Sequence, residues 1–292
     1  MTTATAPTHQ APHVDLDGIR LSFARLVRSE WIKLRSIRST MWCFGILFVL
    51  NIGFPLLIAS TGSVGGTDNP HLVGDNANQV ALMVVTLGVN FTQLVVAVLG
   101  VLIISGEYAT GMIRGTFTAN PGRLGSMFAK ALVLAIATFV VSAASTWIAA
   151  IAVHPILSGQ GIDYDLGDSK MFLPILGSSV YVTLVALLAF GIGSLVRASA
   201  GGIAITLGLL LVAPLILQIL TNLLHGTTWP ANVSAFLPSS AGAELFSYTT
   251  PSGAQHPADT VVLNGWQGFG VLGAEVLAVG IAALTLVKRR DA

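Results

Sequence analysis

Few residues in this chain of 292 have the types and spacing that a catalytic site would need. The chain contains no Gly-x-x-x-x-Gly-Lys-Ser/Thr motif, so it has no P-loop, and any ATP hydrolysis would belong to a partner. It contains no His-Glu-x-x-His motif, and no Gly-x-Ser-x-Gly motif lies in a long apolar run. The single cysteine, Cys43, cannot form an intrachain disulfide and has no partners at zinc-ligand spacing. The sequence predicts that the chain itself is neither an enzyme nor a metal-binding protein.

Glu275 is the one clear carboxylate inside a long apolar run. An ionisable group at membrane depth is costly and is functional by default, so Glu275 is a candidate intramembrane polar site. The sequence favours the alternative, a buried polar contact that joins the last helix to a neighbour, because the apolar interiors of the other runs contain no Lys, Arg or His to complete a relay. Five amides in similar positions are expected to bond between helices: Asn51, Asn90, Gln93, Gln218 and Asn222.

The third candidate is the segment Ser105–Lys130, which lies between two apolar runs and reads SGEYATGMIRGTFTANPGRLGSMFAK. It contains three cations and is interrupted by Gly, Asn and Pro. The pattern predicts a short helix over 113–118 that ends at Asn120-Pro121-Gly122. One interpretation is a plain basic loop, and the other is a short helix that a cytoplasmic partner contacts.

Composition places these candidates in a membrane protein. Hydrophobic residues make up 53% of the chain, charged residues only 9%, and the mean hydropathy is +0.79. A soluble domain is about 25% charged, and about 20 apolar residues cross the bilayer as a helix. The sequence therefore predicts an all-α integral membrane protein with six transmembrane helices, and no nucleic-acid partner. The predicted spans are 40–59, 80–104, 127–153, 172–196, 201–222 and 267–287, and only Arg197-Ala198-Ser199 separates the fourth from the fifth.

The segment before the first span divides into two parts. Residues 1–17 have no apolar periodicity and are predicted to be a disordered tail. Residues 18–38 are predicted to form a basic amphipathic helix at the membrane interface, ahead of a six-span domain over 39–292. This helix could be a simple anchor or a mechanical elbow, and the pattern is the same for both. Its apolar stripe consists of Phe23, Leu26, Val27, Trp31 and Leu34.

The distribution of cations predicts the orientation. With six spans, thirteen of the fourteen Lys and Arg residues fall on one side, and only Lys170 falls on the other. Cytoplasmic loops carry an excess of Lys and Arg, so both termini and the loop between the second and third spans are predicted to be cytoplasmic. The long segment 223–266 is then on the outside. Because it is almost uncharged, we expect short helices packed at the interface, including one over 241–248 that Ser240 caps.

The layout resembles that of the permease subunits of type-2 ABC transporters. These permeases have an amphipathic N-terminal helix, six spans and a large outer segment between the fifth and sixth spans. Their loop between the second and third spans contains Glu-x-x-x-Gly, a small apolar helix, Pro-x-x-Arg or similar, and Gly-Lys. The matching positions here are Glu107 and Gly111, Pro121 and Arg123, and Ala129-Lys130, where Ala129 replaces the family's glycine.

The resemblance implies a function and partners. The 105–126 loop would dock on a separate P-loop ATP-binding subunit, which holds ATP and magnesium, while this chain carries no cofactor. Two permease subunits would pair, as a homodimer or with a related chain, in the cytoplasmic (inner) membrane of a bacterium. Glu107 would stabilise the docking segment and Gly111 would permit its turn. Arg114 and Arg123, on either side of Pro121, would offer charge to the partner.

Two other functions remain open at this point. An ion-coupled secondary transporter would need a coupling site, for which only Glu275 offers itself. A non-transporting sensor or assembly subunit would have no use for the 105–126 loop. The sequence does not select a transported substrate.

Overall fold

The computed structural model of the chain describes residues 22–62, 64, 72–112, 124–224, 226–248 and 259–289. For residues 287–289 it describes the backbone alone. Three predictions concern residues outside these ranges. They are the disordered tail over 1–17, the start of the amphipathic helix at 18–21 and the loop helix over 113–118.

The described residues form helices and no β-strand, apart from one isolated bridge between Leu72 and Ile162. In chain order the helices are α1 (Phe23–Ser36), α2 (Arg38–Ser60), α3 (Asp75–Thr86), α4 (Val89–Ala109), α5 (Leu124–Gly159), α6 (Ser169–Val196), α7 (Ser199–Leu207), α8 (Ala213–Leu223), α9 (Trp229–Ala235), α10 (Pro238–Ala243) and α11 (Gly265–Arg289). A π-helical turn (Gly208–Val212) joins α7 to α8, and a 3₁₀ turn (Glu244–Phe246) follows α10.

Six helical segments of the described chain are long and apolar enough to span a membrane, which indicates a multi-pass membrane protein. Each of these segments overlaps one predicted span, so the prediction of six helices long and apolar enough to span a membrane is confirmed. Several segments exceed the roughly 20 residues that cross the hydrocarbon. The segments are α2, α3 with α4, α5, α6, α7 with α8, and α11.

The second segment is interrupted at Leu87-Gly88, where α3 ends and α4 begins. A Cβ atom on Gly88 would lie 2.7 Å from the Cα of Asn51, so only glycine allows α2 to approach this closely. Sequence reasoning predicted one continuous span from Val80. The interruption lies at this contact with a distant helix, and a local pattern does not contain such a contact.

The centre of the bundle is the contact between α4 and α6. A Cβ on Gly100 would lie 2.4 Å from the carbonyl oxygen of Ala186, and one on Gly193 would lie 3.0 Å from the Cα of Val101. These glycines let the two backbones touch, as small residues do in membrane helices. By contrast, α7, α8 and α11 bury few of their apolar side chains, as suits contact with lipid.

The fourth and fifth spans form the tight hairpin that the sequence predicts. The α6 helix ends at Val196, Arg197 adopts the left-handed conformation with φ of 57°, and α7 begins at Ser199. Further along, the Ala213 N–H bonds to the Gly208 carbonyl, five residues back, which produces the π-helical turn. Pro214 follows this turn directly and has no N–H, so an ordinary α-helical bond is missing there.

The described part of the 223–266 segment contains short helices, as expected, although one helix differs from the prediction. The predicted helix over 241–248 with a Ser240 cap is wrong, because α10 begins at Pro238 and ends at Ala243. Proline is favoured at the first helical position, since its fixed φ suits the helix and its missing N–H is not needed there. The segment lies directly on α6, where a Cβ on Gly177 would be 2.1 Å from the Leu245 carbonyl oxygen.

Candidate functional site

Three elements meet at one end of the bundle: α1, the C-terminal end of α4 and the N-terminal end of α5. We call this end the α1 face, and the end formed by the N-termini of α3 and α6 the opposite face. The Ser22 hydroxyl caps α1 by accepting from the Arg25 N–H at 3.4 Å. The inward side of α1 buries Glu30 and Leu34, whereas Phe23 and Trp31 of the predicted apolar stripe stay about half exposed.

Four charged side chains meet where these elements touch, and we call them the ion-pair cluster: Glu30, Lys33, Glu107 and Lys130. The Lys130 ammonium donates to Glu30 Oε2 at 2.5 Å and to Glu107 Oε1 at 2.7 Å. The Lys33 ammonium donates to Glu30 Oε1 at 2.9 Å and to Glu107 Oε1 at 3.3 Å. Each cation therefore bridges α1 and α4, and Lys130 adds α5 to the same network.

Three members of the cluster are almost completely buried. The side chains of Glu30, Glu107 and Lys130 are 5%, 7% and 7% exposed, while that of Lys33 is 41% exposed. Removing one partner of a buried ion pair leaves a charge without compensation, which is strongly destabilising. Burial alone would lower the pKa of Lys33, but the hydrogen bond to Glu30 and the charge of Glu107 outweigh burial, so the pKa lies above its ordinary value.

Glu107 is the predicted site residue that the structure places at the centre of this cluster. Its side chain lies within the bundle and contacts the two lysines, so it connects the C-terminal end of α4 to α1 and α5. Its second oxygen, Oε2, is buried and has no hydrogen-bond partner among the described residues. A buried acceptor without a partner is uncommon and requires an explanation.

Gly111 ends α4 in a way that only glycine does easily. Its φ is +71°, the left-handed region that side chains rarely adopt, and its N–H bonds to the Tyr108 carbonyl at 3.3 Å. The chain therefore leaves α4 at this position. The other predicted partner-contacting residues, Arg114, Pro121 and Arg123, lie outside the described residues.

The hairpin between α6 and α7 also reaches the α1 face. The Arg197 guanidinium lies 4.9 Å from the centre of the Tyr108 ring, a cation–π contact. The Ser105 and Ser199 hydroxyls are 2.8 Å apart and hydrogen-bonded. The start of the 105–126 loop is thus in contact with this hairpin as well as with α1 and α5.

Glu275 lies in α11, away from the ion-pair cluster. It is partly exposed, and its Oε2 is buried without a hydrogen-bond partner in the described part of the chain. The structure therefore supplies no bond through this oxygen to a neighbouring helix, which is the contact that the sequence favours. Two of the amides do bond between helices. Asn51 donates to Ser145 at 2.8 Å and to Thr146 at 2.7 Å, and Gln93 accepts from Tyr181.

Sequence reasoning missed the role of Glu30. A signal was present, because Glu30 falls at helical spacing between Val27 and Leu34 and so interrupts the apolar face of an amphipathic helix. A carboxylate on the buried side requires a buried cation, and Lys130 at the start of the third span meets that requirement. The pattern could have predicted that Glu30 pairs with a buried cation, but not that this cation is Lys130.

A cavity of about 680 Å³ opens on the opposite face beside α8, α9 and α10. Its walls are largely apolar, with Thr221, Thr228 and Glu244 among its polar residues. The Glu244 carboxylate accepts a hydrogen bond from Ser247 at 3.0 Å. Within the described ranges, no group of three or more His, Cys, Asp or Glu side chains is placed to hold a metal ion.

When compared with models of known protein families and with characterised proteins, the chain matches none.

Proposed function

We propose that the chain is the membrane permease subunit of an ATP-driven exporter in the cytoplasmic membrane of a bacterium. A separate P-loop ATP-binding subunit docks on the 105–126 loop, and two permease subunits pair. The observation that carries this proposal is the ion-pair cluster. It joins α1 to both helices that flank the loop, so a force on the loop would reach all three elements together.

The cation distribution supports the orientation that this function needs. Thirteen of the fourteen Lys and Arg residues fall on one side of a six-span topology, and that side includes the 105–126 loop. The α1 face is then cytoplasmic, where ATP is available. The opposite face, with its cavity beside α8 to α10, is then external and is the side of release.

The residues of this chain have mechanical rather than chemical roles in this proposal. ATP and magnesium are held by the partner, whose closure displaces the loop. Because Lys130 and Glu107 bond across the two ends of the loop, α4 and α5 move as one unit. Glu30 and Lys33 connect α1 to that unit, so the bundle responds as a whole.

Affinity purification of the tagged full chain from its native membrane, in mild detergent, tests the partner. We expect mass spectrometry to identify a P-loop ATPase in the preparation, together with ATP hydrolysis. Arg114→Ala and Arg123→Ala should each lower the amount of co-purified ATPase severalfold. Lys170→Ala, which removes one cation from the opposite face, is the matched control and should lower it little. A wild-type preparation without an ATPase would contradict the proposal.

A second experiment tests the mechanical role of the ion-pair cluster. Spin labels at Ser60 and Thr227, both exposed on the opposite face, report the distance between α2 and the segment before α9. With the partner bound, ATP should change this distance in an otherwise wild-type chain that carries Cys43→Ser. Glu107→Gln should retain the partner but abolish the change. An unchanged response in Glu107→Gln would contradict coupling through the cluster.

One observation favours a second candidate, an ion-coupled secondary transporter. Glu275 has a buried oxygen without a partner in the described residues, as an empty ion or proton site would. Transport that stops when the ion gradient is collapsed, survives ATP depletion and is lost in Glu275→Gln would favour this function. A preparation with neither ATPase partner nor transport would favour a sensor or assembly subunit.

A further inference from the structure

A cavity of about 480 Å³ opens beside the ion-pair cluster, between α1, the start of α2, α4 and α5. All four members of the cluster line one end of it. The rest of its wall is mainly apolar and includes Leu99, Leu102, Ile103 and Val133. The volume lies within the range of about 300–1,000 Å³ that small-molecule sites occupy.

The cavity is elongated along a spanning helix. It extends along α4 from Leu99 to Glu107, which is about 12 Å at 1.5 Å per residue. Its apolar wall therefore lies at hydrocarbon depth, whereas its charged end lies at the α1 face. Water is a poor occupant of a leucine- and isoleucine-lined space. The shape and polarity suit a molecule with a polar head and an apolar tail.

The charged end is short of one hydrogen-bond donor. The Glu107 side chain is 7% exposed, and its Oε2 has no partner among the described residues, while its Oε1 accepts from both lysines. Glu107 is one of the residues that line the cavity, so a donor bound there lies next to this carboxylate. A cationic N–H is the strongest donor for such an oxygen.

The charged end also offers a place for an anion. An ammonium has three N–H donors, and Lys33 uses two of them on Glu30 and Glu107. Lys33 is 41% exposed, so its remaining donor is accessible to a phosphate oxygen. One head group that carries an ammonium and a phosphate would supply a hydrogen-bond donor to Glu107 and an acceptor to Lys33.

We propose that this cavity binds a phospholipid with a primary ammonium head group, such as phosphatidylethanolamine. The ammonium donates to Glu107, the phosphate accepts from Lys33, and the first part of an acyl chain lies against Leu99, Leu102 and Ile103. Ile37 lines the cavity where α1 meets α2, and Ile37 and Met41 are both exposed, so a bilayer lipid can approach the site there. This proposal does not rest on the exporter function.

Native mass spectrometry of the purified, delipidated full chain tests the proposal. The probes are phosphatidylethanolamine and phosphatidylcholine with identical acyl chains, which differ in the N–H donors of the head group. We expect retention of the ethanolamine lipid to exceed that of the choline lipid about tenfold, because choline cannot donate to Glu107. Equal retention of the two lipids, as adventitious lipid would give, would overturn the proposal.

A variant that fills the cavity avoids disturbing the ion-pair cluster. Leu102→Trp places a large side chain in the apolar part and should abolish the preference for the ethanolamine lipid. Leu215→Trp, on the exposed side of α8, is the matched control and should keep the preference. A preference that survives Leu102→Trp would place the lipid elsewhere and overturn the site. Displacement of the phospholipid by an equal concentration of hexadecylamine would overturn the phospholipid assignment in favour of a simple amine site.

Discussion

The two faces of the bundle are held together by different forces. On the α1 face, the ion-pair cluster joins three helices through side chains that, Lys33 apart, are at most 7% exposed. On the opposite face, Lys170 bonds to both oxygens of Asp75 at 3.0 Å, and the Tyr248 hydroxyl donates to Asp75 at 2.9 Å. We call these three residues the opposite-face clasp. Its lysine and aspartate are 42% and 41% exposed.

The difference in exposure decides how much each set of charges contributes. An exposed ion pair contributes about 0–1 kcal/mol, because water screens it. A buried pair gains little over apolar packing, but the loss of one partner is severe. The opposite face depends instead on close packing, since glycines bring 238–248 into contact with α6 and α11. Substitutions that remove a charge should therefore destabilise the α1 face most, and substitutions that add side-chain volume should destabilise the opposite face most.

The largest effect should come from Lys130→Met. This change leaves Glu30 and Glu107 buried, with only the half-exposed Lys33 to compensate them. We expect the free energy of unfolding to fall by about 3–5 kcal/mol. Reversible unfolding in mixed micelles, followed by circular dichroism, measures this change. A loss below about 1 kcal/mol would mean that the cluster is accessible to water and resembles the opposite-face clasp.

Gly242→Ala should destabilise the opposite face, because it adds a methyl group to a closely packed contact. A Cβ at this position would lie 2.1 Å from the Tyr181 ring, and Tyr181 is fully buried. We expect a loss of about 1–3 kcal/mol in the same unfolding assay. Gly270→Ala is the matched control, because nothing lies within 4 Å of its added Cβ. Equal losses in both variants would show that helix conformation, rather than close packing, is responsible.

A double-mutant cycle sharpens the description of the α1 face. Glu30→Gln removes the carboxylate that Lys130 contacts at 2.5 Å, so combining it with Lys130→Met removes both members of the pair. The double variant should be less destabilised than the sum of the single variants, by about 0.5–3 kcal/mol. Additive losses would indicate that Glu30 and Lys130 do not interact, and that Lys130 depends on Glu107 alone.

The smallest effect should come from the opposite-face clasp. Lys170→Met removes an exposed ion pair, and we expect the free energy of unfolding to fall by at most about 1 kcal/mol. The effect should shrink further at high salt, since ions screen exposed charges. Lys130→Met, measured at the same salt concentrations, provides the comparison and should change little. A loss near that of Lys130→Met would remove the distinction between the two faces.

The six spanning helices could be predicted from sequence because each apolar run is longer than a soluble helix needs and carries almost no charge. The turn at Arg197-Ala198-Ser199 was predictable for the same reason, since two runs too long for one crossing must reverse between them. These features depend only on residues that are neighbours in the chain.

The start of α10 at Pro238 is a local feature that sequence reasoning missed, but other missed features involve contacts between distant residues. The break at Gly88 lies where α2 approaches α4, and the ion-pair cluster joins Glu30 to a residue one hundred positions away. A single sequence indicates which face of a helix is buried, but not which other helix packs against that face. The π-helical turn before Pro214 was not predicted either, because a proline indicates that a helix is distorted without specifying a π-helical turn.

The length of α5 has a consequence for how motion would cross the membrane. With 36 residues it is about 54 Å long, against about 30 Å of hydrocarbon. If a rod of this length tilted by about 5° about its middle, its two ends would move by roughly 2 Å in opposite directions. Lys130 is near one end and Leu157 near the other. A pull on the first would therefore appear at the second as an opposite displacement, which makes α5 a lever with its fulcrum inside the bilayer.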